Sequence, residues 1–193
     1  MVKPREIETN RYYADIKSRR LIVRRGWDDN VAKTLVHNSH EVEIVEHHAR
    51  DSRKRFEDLK KANIWFENNQ PMAIYTLALA RTAELAGVIW IAPPEERIPE
   101  AELAFSLRMY EVARGREFAV SFGRAALFDY ETQNPSYDGD LGLKVNREYT
   151  DEVQTYKELD FDQVGKLKPT ELFTTMIRPG FISRLSISTR RHK

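Results

Sequence analysis

The chain of 193 residues contains no cysteine. That absence excludes thiol catalysis, cysteine-ligated zinc and a disulfide framework, and it fits a reducing interior. No apolar run approaches the roughly 20 residues of a membrane-spanning helix. The opening stretch "MVKPREIETNRYYADIKSRR" also lacks the apolar core of a secretory signal. Together these absences lead us to expect a cytoplasmic protein with no membrane partner. Charge of one sign is missing too, since 31 Lys plus Arg stand against 30 Asp plus Glu, a formal charge of +1. A chain so balanced is no general polyanion binder, and its basic stretches "KSRRLIVRR" and "STRRHK" read as solvated ends rather than a nucleic-acid surface. The histidines His37, His40, His47 and His48 share a zone with Glu41 and Glu43, but no His-Glu-x-x-His occurs, so no metal site is expected. There is no internal repeat and no low-complexity linker. One domain is therefore expected over 20–182, between a charged N-terminal extension (1–19) and a basic tail (183–193). A chain of this length buries about 70% of its unfolded surface, enough to fold without metal or bridge.

Periodicity and breakers give the order of elements. "RLIVRR" (Arg20 to Arg25) is a short β-branched run, and Asp28 or Asp29 can cap a helix carrying Val31, Leu35 and Val36. A polar helical zone follows from about Ser39 to Leu59, with Ser52 able to cap its second part. "MAIYTLAL" and "ELAGVIWIA" read as strands joined by a tight turn at "ARTAE". A third strand-like run, "AELAFSLRMYE", precedes "GREFAVSFGRAALFDY", where Phe118, Phe122 and Ala125 share a face at helical spacing. The strand "LGLKVN", a helix from about Thr150 to Leu159 and a last strand "FTTMI" complete the pattern. Helices that follow antiparallel strands point to a mixed α+β layer fold rather than a doubly wound sheet.

A strand that runs through a glycine turn into a helix is a recipe for an anion site. The first N–H groups of a helix have no internal partner, and the macrodipole makes that end positive. Here Gly115 forms the turn, and Arg114 and Arg116 add charged donors at its mouth.

The run "LRMYEVARGREFA" resembles the acetyl-coenzyme-A motif of the GNAT N-acetyltransferase superfamily, [Gln/Arg]-x-x-Gly-x-[Gly/Ala] between a splayed strand and a helix. A second stretch, "VNREYTDEVQTYKELDF", is similar to the family's next strand and helix, Val-x-x-x-Asn-x-x-Ala-x-x-x-Tyr-x-x-x-Gly-Phe, with Val145, Tyr156 and Phe161 in register. "ELAGVIWI" resembles the family's third strand and "RLIVRR" its first, so the likeness covers roughly residues 20 to 178. It implies a GNAT-like α+β fold: a mixed, mostly antiparallel sheet flanked by helices, with a splayed parallel strand pair. The resemblance also implies acetyl transfer from acetyl-CoA to a primary amine, on a small molecule or a protein, by direct attack in a ternary complex. A homodimer is compatible with it. By the same likeness Arg114, Gly115, Arg116, Glu117, Phe118 and Ala119 border the pyrophosphate, and the backbone of Leu107 and Met109 pairs with the pantetheine arm. Tyr156 would be the general acid, and Glu102, at the entrance of the motif strand, the base in preference to Glu84, Glu111 or Glu148.

The chain departs from the pattern at four positions. Glu117 stands where the family has its central glycine, Tyr149 replaces Asn, Glu152 a small Ala, and Asp160 the Gly before Phe161. Asp tolerates the left-handed conformation that a helix end requires, so the last change is mild. Glu117 is the larger one: its carboxylate either faces the phosphates and opposes them, or turns outward and leaves the cradle usable. A GNAT-shaped binding or regulatory module without catalysis is the alternative reading that this residue keeps open.

Overall fold

Every residue of "AIYTLAL" (β3, Ala73–Leu79) and "LAGVIWIA" (β4, Leu85–Ala92) is buried. Runs with no polar alternation must be covered on both faces, and here helices cover them. The computed structural model describes residues 5–6, 21–39, 56–69, 73–82, 84–94, 97–98, 101–164 and 172–180. Its remaining strands are β1 (Arg5–Glu6), β2 (Leu21–Arg25), β5 (Leu103–Met109), β6 (Leu141–Asn146), β7 (Asp162–Val164) and β8 (Phe173–Arg178). They form one eight-stranded sheet in the order β1-β2-β3-β4-β5-β6-β8-β7. All neighbours run antiparallel except β5 and β6.

Among the described residues four helices cover the sheet: α1 (Asp29–Asn38), α2 (Leu59–Asn69), α3 (Arg116–Gln133) and α4 (Thr150–Glu158). Alternation along each strand divides the core in two. Leu103, Phe105 and Leu107 of β5 face the cluster built with Phe122, Ala126, Tyr130 and Leu159 of the α3 and α4 side. Val88 and Trp90 of β4 face Val31, Leu35, Ala62 and Trp65 of α1 and α2. α3 and α4 approach closely because residue 123 is glycine, where a Cβ would lie 2.5 Å from Leu159 Cδ1.

α1 starts where the sequence places it: Asp28 Oδ1 accepts from Val31 N at 2.8 Å. The helical zone expected over 39–59 lies mostly outside the described residues, as does its capping Ser52. Instead a helix begins where that zone ends, with Asp58 Oδ1 accepting from Lys61 N at 2.8 Å. Its inward stripe is Leu59, Ala62, Trp65 and Phe66, and the exposed Ile64 interrupts it and blurs the signal. β1 and β7 have two and three residues, too few to show a period of two.

A fork between two parallel strands as the candidate active site

β5 and β6 pair only at Leu103↔Leu141 and Ala104↔Gly142. Yet β5 continues to Met109 and β6 to Asn146, so beyond Ala104 the two strands part. The base of this fork is tight, since a Cβ at Gly142 would lie 2.6 Å from Ala101 Cβ. On its other edge β5 stays paired with β4, from Ala92↔Ala104 to Gly87↔Met109. Tyr110 N donates to Ala86 O of β4 at 3.0 Å. Main-chain groups in an antiparallel ladder alternate in direction, which turns the N–H and C=O of Leu107 and Met109 toward the fork. Among the described residues no strand pairs with β5 there.

At the mouth a single 3₁₀ turn, Glu111–Ala113, leads through Arg114 to Gly115. Gly115 has φ 155°, a value that side-chain-bearing residues rarely adopt. Ala119 N donates to Gly115 O at 3.1 Å, so the N–H groups of Arg116, Glu117 and Phe118 precede the first intrahelical donor. Arg114 and Glu117 are exposed, Phe118 is half-buried against the core, and Ala119 is buried.

Tyr156 of α4 is buried in the same core cluster as Phe105, the first β5 residue beyond the paired ones. Its ring meets Phe105 of β5 edge-on, with centroids 6.4 Å apart. The end of its helix fixes it there. Phe161 N donates to Tyr156 O and Asp160 N to Lys157 O, the two bonds of a Schellman cap. Asp160 takes φ 66° at the left-handed position, and the ring of Phe161 packs 6.0 Å from that of Tyr156. Burial pushes the Tyr156 phenol well above its ordinary value, Glu152 adds to the rise, and Arg108 opposes it. The hydroxyl therefore holds its proton at neutral pH.

Glu102 is exposed just ahead of β5, and its Oε2 would lie 2.8 Å from a Cβ at Gly139. It sits at the closed end of the fork, three residues or about 10 Å of strand from Phe105. Glu84, Glu111 and Glu148 are also exposed and lie toward the open end. His37 is exposed on α1, while His40, His47 and His48 lie outside the described residues. Among the described residues no cluster of His, Asp and Glu has metal-ligand geometry.

Two polar features have no counterpart in the sequence reading. Asp129, buried in α3, accepts from Tyr75 Oη at 3.1 Å and pairs with Arg25 at 3.3 Å. Arg108 of β5 stacks on Trp90 at 4.8 Å and on Phe56 at 5.9 Å. A carboxylate inside the otherwise apolar stretch "AALFDY" was the available signal for the first. An arginine in a strand gives none for the second.

No family model matches the chain, and no curated protein matches it. Solved structures do. A ribosomal-protein-S5-alanine acetyltransferase of Vibrio fischeri superposes with a TM-score of 0.63 at 7% identity, over 82% of this chain and 93% of that one. An acetyltransferase of the GNAT family from Bacillus anthracis gives 0.58 at 11%, over 90% and 96%. The fold is that of the GNAT acetyltransferases. A spermidine N-acetyltransferase of Vibrio cholerae, solved with CoA and spermine, has the same GNAT fold, with a TM-score of 0.59 at 15% identity over 81% and 92% of the two chains. The mixed, mostly antiparallel sheet and the splayed parallel pair expected from the sequence are both present in this chain.

Proposed function

We propose that the chain transfers an acetyl group from acetyl-CoA to a primary amine. The observation that carries this reading is the fork: an unpaired edge of β5 that meets the Gly115 helix start at its mouth and a buried, protonated tyrosine at its base. The open backbone of Leu107 and Met109 suits a pantetheine arm, whose amides add to it like a strand. The N–H groups at the start of α3, with Arg114 and Arg116 adjacent in the sequence, suit the pyrophosphate. Acetyl-CoA supplies an activated acyl group on a thiol. A main-chain N–H of the Leu107 to Met109 segment holds the oxygen that becomes negative during attack, and the Tyr156 hydroxyl gives its proton to the departing sulfur. Glu102 takes the amine proton through water, being nearer the fork base along the chain than Glu84, Glu111 or Glu148. A structural neighbour solved with CoA and spermine supports amine acetylation as the general class.

Thermal unfolding with and without acetyl-CoA tests the reading. Donor at a hundred times its dissociation constant adds about 2.7 kcal/mol, or roughly 5–10 °C for a domain of this size. No shift at millimolar donor removes the acyltransferase and leaves the non-catalytic module. Where binding is found, Tyr156→Phe should lower kcat at least tenfold and leave donor affinity within twofold; an unchanged kcat takes Tyr156 out of the mechanism.

A further inference from the structure

The fork is a gap in the sheet, and its two faces differ. On one, Phe105 and Leu107 of β5 and Leu143 and Val145 of β6 join the cluster that holds Tyr156, Leu159 and Phe161, and all of them are buried. A core packed in this way admits no acceptor, so the amine approaches from the other face. There the alternate residues flank the gap, Ser106 and Arg108 from β5 and Lys144 and Asn146 from β6. Counted on from Ala104↔Gly142, the parallel register sets Lys144 level with Ser106 and Asn146 level with Arg108. The closed end of this face is filled, since a Cβ at Gly142 would lie 2.7 Å from Ile98 Cγ2 and 3.0 Å from Ile177 Cδ1. Toward the open end Ser106, Arg108 and Asn146 are half-buried and Lys144 is exposed.

The charge on this face has one sign. β4, β5, β6 and β8 contain no Asp or Glu, and Arg108 and Lys144 are the ionised side chains they place on it. Carboxylates stand at its margins. Asp162 lies on β7, two strands beyond β6, and Glu84, Glu102, Glu111 and Glu148 lie outside the strands themselves. Arg108 is held beside the gap, with its guanidinium over Trp90 at 4.8 Å and over Phe56 at 5.9 Å, and Trp90 pairs with Ser106. Contact with ring faces fixes a guanidinium without spending its N–H donors, which lie in its plane.

We propose that the acceptor is an amine that also carries an anionic group, a carboxylate or a phosphate, and that Arg108 and Lys144 select it by holding that group as the nitrogen enters the gap. The proposal rests on the acyl-transfer reading above. Carboxylate and phosphate share the paired oxygens that a guanidinium binds bidentately. A polyamine meets like charges on this face and is disfavoured. The two cations bind a part of the acceptor remote from the reacting carbon, so their effect falls on acceptor KM.

Matched acceptors test this: β-alanine against β-alaninamide, and phosphoethanolamine against ethanolamine, with spermidine as the polycation. In at least one pair the anionic member should have a kcat/KM about tenfold higher or more, and the pair with the larger ratio tells carboxylate from phosphate. Arg108→Gln should cut that preference about tenfold, chiefly through acceptor KM. Lys144→Glu should cut it about fivefold, and as an exchange at an exposed site it keeps the test available should Arg108→Gln fail to fold. Calorimetric titration of the CoA-saturated protein with N-acetyl-β-alanine and with its amide reads the preference without turnover. The anionic product should bind about tenfold more tightly at low ionic strength, by a margin that shrinks in 0.5 M salt. Equal or reversed preference in both pairs, spermidine as the best acceptor, or a preference unchanged by Lys144→Glu would overturn the proposal. So would acetylation of none of these amines by protein that binds acetyl-CoA. Failure to bind acetyl-CoA at all is a different result, and it would remove the acyl-transfer reading itself.

Discussion

At Glu117 a carboxylate occupies the first turn of the helix that the phosphates would meet. Its exposure sets the size of the effect. At about 4 Å in water two unit charges repel by about 1 kcal/mol, against about 4 kcal/mol at an effective dielectric of 20. An exposed carboxylate lies near the lower figure and is screened further by salt. Glu117→Gln should therefore tighten CoA binding about fivefold at low ionic strength, and the gain should shrink in 0.5 M salt. Calorimetric titration at two salt concentrations measures it, and unchanged or weaker binding would mean that the carboxylate faces away from the phosphates. The helix itself loses little, because a first-turn acid contributes only about 0.3–1 kcal/mol with the dipole.

At the scale of one element, the end of α4 shows how local chain chemistry sets a functional side chain. The Schellman cap needs a residue with positive φ at 160, and Asp160 adopts it at φ 66°. Non-glycine residues pay about 1–2 kcal/mol there, and β-branched ones most. Asp160→Gly should raise stability by up to about 1 kcal/mol, whereas Asp160→Val should lower it by about 1–2 kcal/mol. Urea denaturation distinguishes the two directions. Because the same cap packs Phe161 on Tyr156, Asp160→Val should also lower kcat; full activity would mean that the tyrosine is held by Phe105 alone. The motif spacing from Val145 to Phe161 made this element readable from sequence. α2 was not readable, because the exposed Ile64 interrupts the inward stripe of Leu59, Ala62, Trp65 and Phe66.

For the molecule as a whole, four tyrosines among the described residues have their protons held by burial. Tyr75, Tyr130, Tyr137 and Tyr156 are each raised above the ordinary value of 10, first by desolvation. Asp129 adds to the rise at Tyr75, Tyr130 at Tyr137 and Glu152 at Tyr156. A group whose folded pKa lies above its unfolded one keeps the folded state fully favoured below the unfolded pKa. Above it the unfolded chain releases protons that the folded chain retains. Stability should therefore be level from about pH 7 to 9 and fall as pH rises through 10. Urea midpoints across that range check it, and Tyr156→Phe should make the alkaline slope shallower. A level midpoint up to pH 11 would mean that these hydroxyls titrate as freely folded as unfolded. The Arg25–Asp129–Tyr75 network, which ties β2 and β3 to α3, belongs to the same scale, since its three residues lie far apart in the chain.

By itself the sequence determined the elements whose information is local. The β-branched and aromatic runs of β2 to β6 declared themselves, as did the caps at Asp28 and Gly115 and the spacing that ends α4. Each depends on groups within a few residues of one another, and backbone sterics and periodicity act at that range. Tertiary structure alone decided the rest. That β5 and β6 pair at two residues and then part was expected only through the family resemblance, since the periodicity of neither strand records it. The stack of Arg108 on Trp90 and Phe56 unites three segments and exists only once they are packed.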